Sequence, residues 1–145
     1  MYLIDTSVWI DYIQGSDARQ ISFLDELLKN PLAVGLTDLI YMEILQGAKD
    51  QSSFDQLRRY FSGQQFYRFI DPEQSHTSAA QIYFDCRRQG VTVRSTLDCL
   101  IAQCAIEHEL ILLHHDRDFK QMVTIVPALQ QKHFLECSLP MSPTC

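Results

Sequence analysis

The chain has 145 residues, 46% of them hydrophobic, which suits one folded domain around a single core. Twelve basic and 18 acidic side chains leave a net charge of −6 at pH 7. That excludes broad nucleic-acid binding driven by phosphate attraction alone, but not a nuclease whose acids are offset by bound metal. No apolar run approaches the roughly 18 to 20 residues that span a bilayer, and no basic-then-apolar leader opens the chain, so a cytoplasmic protein is expected.

Tyr2 to Ile4 is a short apolar run that stops on Asp5, and helical periodicity starts at once with Val8, Trp9, Tyr12 and Ile13. This predicts a buried strand feeding a helix, with one carboxylate at the strand's C-terminal end. A second helix, capped by Asp17, is expected through Ile21, Leu24 and Leu28 to Asn30-Pro31. A strand is expected over Leu32 to Leu36, and then a helix from Thr37-Asp38 to Gly47. Gln51 to Phe61 reads as another helix and Gln65 to Ile70 as a strand. Asp71-Pro72 is a strong helix start, a cap followed by proline in the first turn, and Gly90 marks the stop.

Ser95-Thr-Leu-Asp98 opens a helix, and Leu110 to Leu113 is the clearest strand in the chain. It delivers His114-His-Asp-Arg-Asp118 at its end. Phe134 to Leu139 is expected as an edge strand, and Ser138 to Cys145 as a frayed tail behind a single domain of residues 1–137. Strands alternating with helices imply an α/β fold, a mostly parallel sheet covered on both faces.

Four acids stand where structure alone does not require them. Asp5 could cap its helix, but Thr6 and Ser7 could do so equally well. Glu43 follows Ile40 and Leu39 by three and four residues, on or beside the apolar stripe of its helix. A carboxylate there needs a cation partner, either an arginine or a metal. Asp98 completes a capping box with Ser95, yet shares its face with Ile101, Ala102 and Ala105. Asp116 and Asp118 repeat the strand-then-acid pattern of Asp5; Asp116 lies nearer the strand end. Acids converging on one sheet edge repel each other unless a hard divalent cation such as Mg²⁺ or Mn²⁺ neutralises them. The site expected is a phosphodiester hydrolase with Asp5, Glu43, Asp98 and Asp116 around metal, and with Asp118, Thr6 and Ser7 as further candidates.

These stretches together resemble the PIN-domain proteins, specifically the VapC toxins of toxin–antitoxin pairs. Leu3 to Asp11 resembles the family's first motif, Tyr41 to Gly47 its second, Arg94 to Ala105 its third and Leu112 to Phe119 its fourth. The resemblance covers nearly the whole chain in order. It implies a PIN-like three-layer fold and a Mg²⁺- or Mn²⁺-dependent endoribonuclease acting on RNA, transfer RNA among the expected targets. It implies Asp5, Glu43, Asp98 and Asp116 as the acidic quartet. It also implies a homodimer and a small VapB-like antitoxin docked on a hydrophobic groove. His114-His115 departs from the small polar residue that the fourth motif often carries.

Other features keep two readings. Arg94 could hold an RNA phosphate or pair with one of the acids. Arg58-Arg59 and Arg87-Arg88 read first as solvated surface and second as RNA contacts. Trp9, Tyr12, Phe23 and Phe61 read as core or as a docking groove. Five cysteines at irregular spacing do not suggest a disulfide framework, and Cys99 and Cys104 read as buried structural thiols. A haloacid-dehalogenase-like phosphatase is the weaker enzyme alternative: Ser7 stands where its second aspartate should be, and no lysine lies close to Asp98 or Asp116. A PIN-like binding module without catalysis is the non-enzymatic alternative, and the four filled acid positions weigh against it.

Overall fold

A computed structural model describes residues 1–135. Its strands are β1 (Tyr2–Ile4), β2 (Val34–Gly35), β3 (Ile111–Leu113) and β4 (Gln130–Lys132). Its α-helices are α1 (Thr6–Ile13), α2 (Arg19–Leu28), α3 (Asp38–Gln46), α4 (Gln51–Ser62), α5 (Pro72–Arg88), α6 (Thr96–Glu107) and α7 (Arg117–Met122). The sheet runs in the order β2-β1-β3-β4, and every neighbouring pair is parallel. Leu3, Ile4, Leu112 and Leu113 are fully buried, as strands of a parallel sheet covered on both faces must be.

The order of the strands positions the site. From β1 the chain steps outward through α1 and α2 to β2, then through α3 and α4 to a lone parallel bridge between Leu36 and Phe66. It then returns through α5 and α6 to β3, on the other side of β1. Right-handed crossovers place the outward helices on one face and the returning helices on the other. The packing agrees: α1 contacts α2 and α3, α3 contacts α4, and α5 lies along α6. The strand order reverses between β1 and β3, the switch point beside which open α/β sheets bind their ligands. Asp5 follows β1 directly, and its N–H donates to the Leu113 carbonyl at 2.9 Å.

Several expected elements come out differently. The second helix is capped at Ala18 without a side-chain bond, not by Asp17; Ser16 Oγ takes the Ala18 N–H instead. Pro31 turns the start of the expected Leu32–Leu36 strand into a 3₁₀ turn, Pro31–Ala33, leaving two residues of strand. Gln65–Ile70 forms a single bridge because its side chains are taken by helices. Phe66 packs on Tyr41, Arg68 pairs with Asp38, and Phe69 meets His76. The edge strand is Gln130–Lys132, earlier than the Phe134–Leu139 expected. Residues 136–145, with the expected tail and the end of the 1–137 domain, lie outside the described residues.

Gly35 in β2 sits where a side chain does not fit. A Cβ there would overlap the Tyr67 ring and stand 3.1 Å from the Gln65 carbonyl oxygen. Gly35→Ala is expected to lose about 1 to 3 kcal/mol in urea unfolding. An unchanged midpoint would mean that Tyr67 moves aside at no cost.

Candidate active site

Each acid is placed by the junction that carries it. Asp5 is buried and caps α1: its Oδ2 accepts from Ser7 N–H at 3.0 Å and Ser7 Oγ–H at 2.6 Å. Ser7 Oγ in turn accepts the His115 N–H at 2.9 Å, so one hydroxyl ties the end of β1 to the loop after β3. Thr6 Oγ1 donates to Glu43 Oε1 at 3.1 Å, across 37 positions of chain. Glu43 is half-buried on α3, which Thr37 caps through the Ile40 N–H. Asp98 sits in the first turn of α6, which Ser95 caps through the Leu97 N–H.

Asp116 caps α7, its Oδ1 accepting from the Asp118 N–H at 2.9 Å. Asp118 is buried and anchors Arg94: its Oδ2 accepts from the Arg94 N–H at 2.9 Å and Nε–H at 3.1 Å. Arg94 Nη2 also donates to Asp116 Oδ1 at 3.2 Å. Of the two readings of Arg94, the ion pair is the one formed, although 71% of its side chain stays exposed. His114 and His115 divide as core and surface. His114 Nδ1 accepts the Asp116 N–H, so Nε2 carries the proton and donates to Gln131 Oε1 at 2.7 Å. Burial first of all holds the His114 pKa down to about 4, so the ring is a neutral support for the Asp116 turn.

The acids interact through space. Burial raises the Asp5 carboxyl pKa despite its Ser7 bonds, and repulsion from Asp116 adds to the rise. Burial and then Asp5 raise Glu43. Asp98 is pushed up to about 7, by burial first and then by Asp5, Asp116, Glu43 and Asp118. Asp98 thus lies within electrostatic reach of the other four acids singled out in the sequence, with Arg94 set against Asp116 and Asp118. Among the described residues, no three His, Cys, Asp or Glu side chains already stand as a ready metal cage. The donors are nonetheless hard oxygens carrying unbalanced negative charge, the chemistry that suits Mg²⁺ or Mn²⁺. Mg²⁺ commonly keeps several waters and takes only one or two carboxylates.

The bridge through Ser7 is not legible in the sequence, and for Arg94 the sequence leaves its acid partners unnamed. Nothing in the spacing from position 7 to 115, or from 94 to 118, signals them. Trp9 and Phe61 are core, fully buried edge to face at 4.8 Å between ring centroids. Beside them runs an apolar groove in two cavities. One, of about 350 Å³, is lined by Ile10, Ile13, Ile44 and Leu57 and reaches Glu43. The other, of about 340 Å³, is lined by Tyr12, Tyr60 and Phe61. Cys99 and Cys104 are buried free thiols, as expected, and so is Cys86. No described helix is long and apolar enough to cross a membrane.

The PIN domain family model matches residues 2–124. Ribonuclease VapC11 of Mycobacterium tuberculosis is 37% identical over 126 residues, covering 86% of this chain and 93% of the relative. VapC ribonuclease Mb1587 of Mycobacterium bovis matches to the same extent, 37% over 126 residues. A chain of the VapBC2 structure from Rickettsia felis, bound to a promoter DNA fragment, superposes with a TM-score of 0.69 at 16% identity. The match covers 92% of this chain and 98% of that one. A chain of DNA-bound VapBC from Salmonella typhimurium gives 0.69 at 19% identity, over 91% and 96%.

The raised Asp98 pKa has a sign that can be checked. The folded carboxyl titrates near 7 and the unfolded one near 3.8, so the unfolded state loses its proton first. Stability from this group is present below 3.8 and is lost as pH rises through about 7. In chelator, Asp98→Asn should be more stable than wild type above about pH 7, with the gap closing as pH falls toward 3.8. Urea unfolding across that range checks it; a gap that widens toward acid would contradict the repulsion.

Proposed function

The chain belongs to the PIN-domain family, and from that membership we propose that it is the ribonuclease toxin of a VapBC-type pair. It is read as an endoribonuclease that hydrolyses RNA phosphodiesters with Mg²⁺ or Mn²⁺, works as a homodimer and is restrained by a VapB-like antitoxin. What supports this reading is that Asp5, Glu43 and Asp116 all lie within electrostatic reach of Asp98, Asp5 following β1 and Asp116 following β3. This arrangement occurs in a chain 37% identical to proteins named as ribonucleases.

In this reading Asp5, Glu43, Asp98 and Asp116 hold the cation, directly or through water. A bound divalent cation supplies the positive charge that eases deprotonation of an attacking water and offsets negative charge on the phosphate. The chain's own residues do the rest. Ser7 fixes one oxygen of Asp5, and Thr6 orients Glu43 through Oε1. The two hydroxyls proposed as ligands are therefore assigned to orienting the acids. Asp118 is assigned the same kind of task, since its Oδ2 is given over to Arg94. The groove past Ile10, Ile13 and Leu57 is the proposed seat of the antitoxin, because it ends at Glu43 and lets a bound segment reach the acids.

Purified protein should cleave RNA with Mg²⁺ or Mn²⁺ and stop in EDTA. Asp5→Asn and Asp98→Asn should each reduce the cleavage rate about a hundredfold or more, the scale of several kcal/mol of charge stabilisation. Cleavage that survives both EDTA and Asp5→Asn would overturn the mechanism. For the toxin role, induced expression should arrest growth and Asp98→Asn should relieve the arrest. A wild type that is harmless without its partner would favour a binding module.

A further inference from the structure

We propose that the C-terminal end of α5, where exposed Phe84 lies beside Arg87 and Arg88, is a contact surface for single-stranded RNA that leads toward the acids. The inference rests on the ribonuclease reading above. An acid cluster in a protein of net charge −6 repels a polyanion, so substrate capture needs local positive charge near the site.

The last turns of α5 hold such charge in an organised form. Phe84 is 43% exposed. The Arg88 guanidinium lies 5.6 Å from its ring centroid, and Arg87 lies 5.9 Å from the rings of both Phe84 and Tyr83. An exposed ring flanked by guanidinium groups combines a face on which any base stacks with charges that follow the backbone. The one acid in this turn, Asp85, accepts from Gln81 Nε2 at 2.8 Å, one turn back along the helix.

The surface also lies at the right end of the molecule. The chain reverses at Gly90, whose φ is 75°, and the Val91 N–H closes on the Cys86 carbonyl at 2.8 Å. It then runs to Arg94, which grips Asp116 and Asp118. Five residues lie between Arg88 and Arg94, six steps of chain, so their Cα atoms stand at most about 20 Å apart. A cavity of about 150 Å³, lined by Tyr83, Arg87, Gly90, Val91, Thr92 and Val93, lies along the way. Arg58 and Arg59 carry the same charge on α4, a helix that lines the apolar groove instead.

Affinity is read by fluorescence anisotropy of a short labelled single-stranded RNA with Mg²⁺. The Asp98→Asn background is used throughout, with the RNA verified intact on a gel. Phe84→Ala should weaken binding about tenfold, and Phe84→Trp, which keeps a stacking face, should not. Arg87→Ala with Arg88→Ala should flatten the log–log salt dependence by roughly 1.4, about 0.7 for each RNA phosphate that is no longer neutralised. Arg58→Ala with Arg59→Ala should leave it unchanged. Equal affinity and slope in all forms would overturn the surface and leave the ribonuclease reading standing. A change in sedimentation without a change in RNA affinity would make this face a subunit interface and overturn the proposal. A parent protein that binds no RNA would overturn the surface and the ribonuclease reading together.

Discussion

The constraint on which the rest of the site depends is the repulsion among carboxylates at the carboxyl ends of β1 and β3. Both strands are buried, and the Asp5 N–H continues their ladder by one more bond to Leu113. The acids that follow these strands therefore cannot retreat into solvent without unzipping the sheet. Asp98 registers the strain most clearly, its carboxyl lifted to about 7 by burial and four acidic neighbours. A core that simply sought stability would place an arginine or an amide there. The fold keeps the acids and fixes Asp5, Glu43, Asp116 and Asp118 with neutral or cationic supports.

Those supports come from distant parts of the chain, and they lock the site to the fold. Ser7 joins the β1–α1 turn to the β3–α7 turn through the His115 N–H. Thr6 joins the same turn to α3 through Glu43. Arg94 joins the start of α6 to α7 through Asp116 and Asp118. His114 props the Asp116 N–H from below, braced on Gln131 of the edge strand. The links to Glu43, Asp116 and Asp118 are hydrogen bonds to charged or buried groups, the kind whose loss leaves an unsatisfied partner.

Much of this is readable from residue order because it is local. A strand that ends on an acid and runs into a helix is visible at Asp5, and an acid on an apolar stripe is visible at Glu43. The parallel sheet follows from the alternation of strands and helices. The misses have more than one cause: Pro31 breaks the start of the Leu32–Leu36 strand, and elsewhere tertiary contacts claim the side chains. Gln65–Ile70 has a strand's composition, but Tyr41, Asp38 and His76 claim its side chains. The Arg94 pairing stays open in the sequence because 24 positions separate Arg94 from Asp118 and no periodicity spans that distance.

Residue order alone poses capping and ligation as alternatives for Asp5 and Asp116, and the geometry removes the opposition. A carboxylate offers about four lone-pair sites on two oxygens. The Asp5 cap is made through Oδ2 alone, and the Asp116 cap through Oδ1 alone. Capping therefore fixes the rotamer of the acid at a helix start while leaving lone-pair capacity on the group. An acid held by a cap is already ordered, and in the proposed role it would lose less side-chain entropy on taking a cation. The helix start at each strand end then serves as the orienting device for the acid it carries.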